Sequence, residues 1–181
     1  EPNLRDAMVI QGRADATFGF ATTTVLNMVL AGVDRDDIAY FTLAQFGLEP
    51  YSSGIIVKKS FAAENPDVVK GFVKATVKGL QDMLADPEEG LALLKEREPL
   101  VDLDVERDRW ALATELSILT PSVMERGISN VDQERFETAA GQIAEAFGIE
   151  ADTTMGNYYD GSFLPPLEDR QISDEVKAAA Q

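Results

Sequence analysis

The sequence of 181 residues contains neither cysteine nor histidine. The missing cysteine excludes disulfide bonds and thiolate nucleophiles, and the missing histidine removes the commonest general base of enzymes. Together the two absences remove most ligand sets for transition metals. A run of about 18 apolar residues, which a membrane-spanning helix needs, is also absent. We therefore expect no catalytic residues, no metal site and no cofactor.

Basic residues are scarce relative to acidic ones, since 16 Lys and Arg face 32 Asp and Glu, for a net charge of −16. This charge would repel anionic polymers and membrane surfaces within a Debye length of about 8 Å. We expect no nucleic-acid partner, and we attribute the acidity to solubility. The first residue is Glu1, with no methionine and no signal-like segment, which indicates a processed or partial product.

The stretch Leu4–Thr24 combines several structural signals. Its first residues have helical apolar spacing up to Gly12, which suits the left-handed position after a helix. The apolar run Ala14–Phe20 then predicts a buried strand. The three threonines at 22–24 precede a second helical pattern, so at least one of them is expected to cap that helix and leave amide N–H groups free. Such a junction between a strand and a helix start is where α/β folds place ligands.

Two further apolar runs, Ile38–Leu43 and Gly54–Lys58, are also predicted to be strands. Amphipathic helices follow them, each with a capping residue or proline at its expected start. These starts lie at Asn65-Pro66-Asp67, Asp86-Pro87, Asp104 and Asp132. The pattern predicts an α/β fold of few parallel strands followed by several helices.

Three motifs occur in a characteristic order: QGRADA at 11–16, then GLEPYSSGIIVKKSFAAENPDVVKGF, then YDGSFLP. This order resembles the second half of the periplasmic substrate-binding proteins of ABC transporters. The most similar branch serves nitrate, taurine and other sulfonates, and the aminopyrimidine precursor of thiamine. The resemblance implies part of a two-lobe type II periplasmic-binding-protein fold.

The resemblance also implies a domain organisation. Residues 1–53 would be the C-terminal part of the second lobe, residues 54–166 a crossover strand with helices that return to the first lobe, and residues 167–181 a tail. The helices from Pro66 onward carry more apolar surface than three short strands can cover. We therefore expect them to pack against a sheet from a missing N-terminal half of the same protein.

Two groups of residues are predicted to contact a ligand. In the first group, Phe20 would flank a planar or apolar part of the ligand, while Thr22 and Thr23 would bind its polar part with their hydroxyls and the helix-start amides. The alternative interpretation is that this phenylalanine is core and that the threonines only cap the helix.

The second group lies in the loop Phe46-Gly47-Leu48-Glu49-Pro50-Tyr51, where the resemblance implies a crossing between lobes. We predict ligand contacts for Phe46, Gly47, Glu49 and Tyr51. Glu49 could accept hydrogen bonds from an amino group, which would favour an amine-bearing or aminopyrimidine ligand over nitrate or a sulfonate. The alternative is a solvated turn with an exposed acid.

The resemblance implies a periplasmic or otherwise extracytoplasmic solute-binding component of an ABC importer, with a small-molecule ligand and a membrane permease as partners. Fungal proteins that make the thiamine pyrimidine are similar in fold, but they rely on histidine and cysteine, which this chain lacks. We therefore predict no enzymatic activity. The alternative function is an effector-sensing domain of a transcription regulator with the same fold.

Overall fold

The structure is a computed structural model that describes residues 2–179, with side chains from Leu4 onward; the last two residues of the predicted tail lie outside this range. The described residues form nine α-helices. They are α1 (Pro2–Ile10), α2 (Ala21–Leu30), α3 (Lys59–Glu64), α4 (Pro66–Ala85), α5 (Pro87–Arg97), α6 (Leu103–Ala113), α7 (Pro121–Arg126), α8 (Gln133–Phe147) and α9 (Asp174–Ala179).

No residue between 2 and 179 belongs to a β-strand. The predicted α/β type II periplasmic-binding fold is therefore wrong, and so are the predicted strands Ala14–Phe20, Ile38–Leu43 and Gly54–Lys58. Each run has the composition of a strand, but a strand exists only when a second segment supplies its hydrogen-bond ladder. Composition does not specify that second segment, and a short apolar run is ambiguous by itself.

The end of the second run shows how a local signal overrides strand composition. Thr42 and Gln45 form a capping box, in which the Thr42 amide donates to Gln45 Oε1 at 2.8 Å. The box starts a 3₁₀ turn at Leu43–Phe46, and Gly47 ends it with φ 78°. This turn leads directly into the predicted ligand-binding loop.

The chain divides into two compact units, of which the first runs to Phe41 and from Asp86 to Thr120. Within it, α2 packs on α1 and α6, and α5 packs on α6. The apolar side chains of this unit that are buried are Val25, Leu26, Met28, Leu91 and Leu112. Three of them lie on α2, so burial of this helix face holds the helix in place.

The second unit comprises Thr42–Ala85 and the chain from Pro121 onward. In it, α4 contacts α3, α9 and two 3₁₀ turns, Gly161–Phe163 and Leu167–Arg170. Ala62, Val69 and Val73 form a buried cluster against which Phe163 and Leu164 pack. The amphipathic helix predicted to start at Pro66 thus buries part of its apolar face, whereas Phe72 on the same helix is 61 % exposed.

Several predicted helix ends are confirmed. The signals that predict them act between residues only three or four positions apart. Gly12 adopts the predicted left-handed conformation after α1, with φ 66°, and Gly148 takes the same conformation after α8, with φ 62°. The carboxylates of Asp86 and Asp132 cap α5 and α8 by accepting from the amides of residues 89 and 135.

Two predicted caps are wrong. α2 begins at Ala21 after Phe20, which makes no side-chain cap, so none of the threonines at 22–24 is the capping residue. α6 is capped by Asp102 rather than Asp104, because Asp102 Oδ1 accepts from the amides of Asp104 at 3.0 Å and Val105 at 3.4 Å. Among the described helices, none has both the length and the hydropathy that a membrane crossing requires.

Candidate functional site

A surface hollow of about 350 Å³ lies in the second unit, between the loop that starts at Gly47 and one side of α8. Its wall contains Gly47, Glu49, Asp132, Glu134, Arg135, Thr138, Ala139 and Gln142. Two of the predicted ligand-contacting residues, Gly47 and Glu49, thus line one concave surface. The volume lies within the range of about 300–1,000 Å³ that is usual for small-molecule sites.

Asp132 fixes the start of α8 and one edge of the hollow. Its carboxylate accepts a hydrogen bond from the Arg135 amide at 2.9 Å and pairs with the guanidinium of Arg126. The amide of Arg135 and, after it, the guanidinium of Arg126 hold the pKa of Asp132 below its usual value. Because the helix start also favours an anion, Asp132 is a permanent negative charge at neutral pH.

Three hydrogen bonds connect the loop to α8. Arg135 Nε donates to the Glu49 carbonyl oxygen at 3.0 Å, and Gln142 Nε2 donates to the Gly47 carbonyl oxygen at 3.3 Å. The Asp132 amide donates to the Tyr51 hydroxyl at 2.8 Å. These bonds fix two backbone carbonyls and one side chain of the loop, so the hollow has a defined wall.

The Glu49 side chain faces the hollow with unused hydrogen-bonding capacity. It is 55 % exposed, and its Oε2 lies 3.7 Å from Arg135 Nε, which is an ion pair too long for a hydrogen bond. Its carboxylate accepts no hydrogen bond from the described residues. Three carboxylates and one guanidinium line the hollow, so its net charge favours amine and other N–H donors over anions.

Tyr51 and Phe46 are placed differently from Glu49. The Tyr51 ring lies under the Arg135 guanidinium, with Cζ 4.3 Å from the ring centroid, and its hydroxyl already accepts from Asp132. Phe46 ends the 3₁₀ turn and is 75 % exposed. Neither residue is in the wall of the hollow, so ligand contact by Tyr51 and Phe46 stays a prediction.

The first predicted group lies at the start of α2 in the first unit. Phe20 immediately precedes the helix and is 71 % exposed, so its ring is not core. Thr22 is half-buried and Thr23 is exposed. The amides of Thr23 and Thr24 bond to the Phe20 carbonyl, whereas those of Ala21 and Thr22 have no hydrogen-bond partner among residues 2–179.

Arg109 on α6 anchors this helix start. Its Nη1 donates to the Thr22 carbonyl oxygen, and its Nε pairs with Glu106 Oε2 at 3.0 Å. A guanidinium next to the first turn adds positive potential to that of the free amides, although Glu106 balances its charge. The two predicted groups belong to different units, so the prediction that they share one ligand stays untested.

Sequence reasoning missed the contribution of α8 to the hollow. It assigned to this helix only an amphipathic character and a cap at Asp132. The polar residues Arg135, Thr138 and Gln142 recur at helical spacing on one stripe, which was the available signal. Acidic residues in the described part of the chain do not gather into a group that could hold a metal ion.

Residues 3–90 match the protein family described as NMT1/THI5 like. The riboflavin-binding protein RibY of Chloroflexus aurantiacus is 30 % identical over 104 residues, which cover 56 % of this chain and 28 % of that protein. The formylaminopyrimidine-binding protein of Halalkalibacterium halodurans is 29 % identical over 91 residues, which cover 49 % of this chain and 26 % of that protein. No solved structure matches the chain significantly.

These matches confirm the resemblance that the order of the three motifs indicated. Both relatives are named as binding proteins, which bears out the prediction of a binding protein rather than an enzyme. All seven predicted ligand-contacting residues lie inside the matched range, whereas α8 lies outside it. The chain spans 28 % and 26 % of the length of the two relatives.

Proposed function

We propose that this chain, which is related to the substrate-binding proteins of the nitrate, sulfonate and thiamine-precursor family, supplies ligand-binding residues to the solute-binding component of an ABC importer. Its ligand is a small amine-bearing heterocycle of the aminopyrimidine class. The name of the formylaminopyrimidine-binding relative supports this class, and that of the riboflavin-binding relative supports the broader class of nitrogen heterocycles.

The observation that carries the proposal is the Glu49 carboxylate. It lies in the wall of the hollow, it accepts no hydrogen bond from the described residues, and its one charged neighbour is 3.7 Å away. A ring amine has two N–H donors, and a carboxylate is the acceptor that binds them most strongly. Nitrate or a sulfonate would instead meet Glu49, Asp132 and Glu134, and their like charges would oppose binding.

The importer context is supported by the family relationship. In this context the protein is extracytoplasmic and delivers its ligand to a membrane permease. The net charge of −16 would repel the protein from anionic lipid, so that the permease rather than the lipid surface is its docking site.

Calorimetric titration tests the ligand class. The full-length protein and its Glu49→Gln variant are titrated with the aminopyrimidine precursor of thiamine and, separately, with nitrate. Because the substitution removes a charge-assisted hydrogen bond, affinity for the aminopyrimidine should fall about tenfold, or about 1.4 kcal/mol. Affinity for nitrate should not fall.

Glu150→Gln is the matched control. Glu150 is exposed and is not part of the wall of the hollow, so its substitution makes the same change in net charge at a different place. It should leave both titrations unchanged. Equal affinities of the unsubstituted and Glu49→Gln proteins for the aminopyrimidine would contradict the proposal.

A further inference from the structure

Arg135 makes more contacts to the Glu49 loop than any other side chain of the hollow. Its Nε donates to the Glu49 carbonyl at 3.0 Å and lies 3.7 Å from the carboxylate of the same residue. Its guanidinium carbon Cζ lies over the Tyr51 ring, 4.3 Å from the ring centroid. One side chain on α8 therefore contacts the backbone, the acid and the aromatic residue of the loop.

Arg135 holds the backbone of Glu49 by a hydrogen bond but makes no hydrogen bond to the Glu49 carboxylate. The short bond goes to the backbone carbonyl of Glu49, whereas the carboxylate is held at the longer distance. The guanidinium thus fixes where the Glu49 side chain starts without occupying its oxygens by a hydrogen bond. The Tyr51 hydroxyl accepts from the Asp132 amide and so links the same loop to the start of α8.

We propose that Arg135 is the positioning residue of the hollow: it holds the Glu49 carboxylate in the orientation that accepts the ligand amine, and it acts on affinity only through Glu49. This inference rests on the proposed function. Arg135 need not touch the ligand, so its removal should affect binding by releasing the loop.

An arginine suits this role and a lysine does not. The planar guanidinium can donate from Nε while its face covers an aromatic ring, whereas an ammonium is a point charge on a flexible stem. Arg135→Lys keeps the charge but loses the combined contacts. Arg135→Gln loses both, so the pair of variants separates geometry from charge.

A double-mutant cycle tests the inference, with the aminopyrimidine precursor of thiamine as the probe in calorimetry. We expect Arg135→Gln and Arg135→Lys each to weaken binding about five- to tenfold in the full-length protein. In the Glu49→Gln background, Arg135→Gln should cause no further loss, because residues that act as one unit are not additive. Lys78→Gln, which removes an exposed cation paired with Asp82 on α4, is the control and should change nothing.

Amide hydrogen exchange at Asp132 gives a readout that does not depend on the ligand. Release of the loop should free the Asp132 amide from the Tyr51 hydroxyl and speed its exchange in both Arg135 variants. Full binding by Arg135→Lys, or additive losses in the double variant, would overturn the positioning role. If Glu49→Gln alone has no effect, it is the proposed function that fails.

Discussion

The two groups of predicted ligand-contacting residues are held by different forces. In the second unit, hydrogen bonds from Arg135, Gln142 and Asp132 fix the Glu49 loop, and the nearby core residue of α8 is the small Ala139. In the first unit, one hydrogen bond from Arg109 reaches the start of α2. Apolar residues of the same helix are buried beneath it.

Because the two groups are held differently, we expect them to contribute differently to ligand recognition. A polar network is costly to disturb and orients a donor or acceptor, which suits the selection of an amine by Glu49. An exposed ring beside free amides offers apolar area and a weak positive potential. We therefore expect the second unit to provide the more specific contacts to a ligand, and substitutions in the two units test this contrast.

The largest expected effect is on the packing beneath the first group. Leu26 on α2 is 6 % exposed, so Leu26→Ala should lower the free energy of unfolding by about 2–5 kcal/mol, as measured by urea denaturation. Leu30 on the same helix is 61 % exposed, and Leu30→Ala should cost about 0.5 kcal/mol or less. Equal losses from the two variants would show that α2 is not held by its buried face.

The next effect concerns charge in the second unit. The pKa of Asp132 lies below its usual value, so its charged form stabilises the folded chain above about pH 4, and this contribution disappears as the pH falls through the folded-state pKa. Asn keeps the helix cap but loses the charge that pairs with Arg126. Asp132→Asn should therefore lower the melting temperature at pH 7, and the difference should shrink as the pH falls below about 4.

Thermal melts across this pH range measure the effect of Asp132→Asn. Asp174→Asn is the control, since the Asp174 side chain is fully exposed, and its effect should be smaller at every pH. A difference for Asp132→Asn that persisted unchanged at the lowest pH would show that the charge of this residue is not what stabilises α8.

The smallest effect on stability is expected for Phe20→Ala. Because Phe20 is 71 % exposed, the free energy of unfolding should change by no more than about 0.5 kcal/mol. If Phe20 contacts the ligand as predicted, affinity for the aminopyrimidine should nevertheless fall. Phe147→Ala, at a residue 77 % exposed in the second unit, should change neither quantity. An unchanged affinity of Phe20→Ala would remove this ring from the site.

Predictions from the sequence succeeded where the cause lies within one helical turn. Pro66 and Pro87 begin helices because a proline at the first position loses no hydrogen bond, and Gly12 follows α1 because it adopts a positive φ. The cap of α2 was misassigned because a threonine run suggests capping chemistry, whereas the helix begins one residue before that run.

The predicted strands failed for the opposite reason. The segment Gly54–Lys58 has a strand-like composition, but its Ile56 is 96 % exposed. Such a segment becomes a strand only when a second segment pairs with it, and its own residues do not specify that partner. The site is a mixed case. Glu49 was predicted from its chemistry, but Arg135, which lies 86 positions away along the chain, was not.

The sequence by itself determined the absence of thiol and imidazole chemistry, the strong negative charge, several helix boundaries and the resemblance to a family of binding proteins. These properties depend on residue types and on neighbours within about four positions. Only the tertiary structure decided that the apolar runs form no sheet within residues 2–179 and that Glu49 shares a hollow with a face of α8. Both depend on which distant segments pack together, and that choice is made by the free energy of the whole chain rather than by any local pattern.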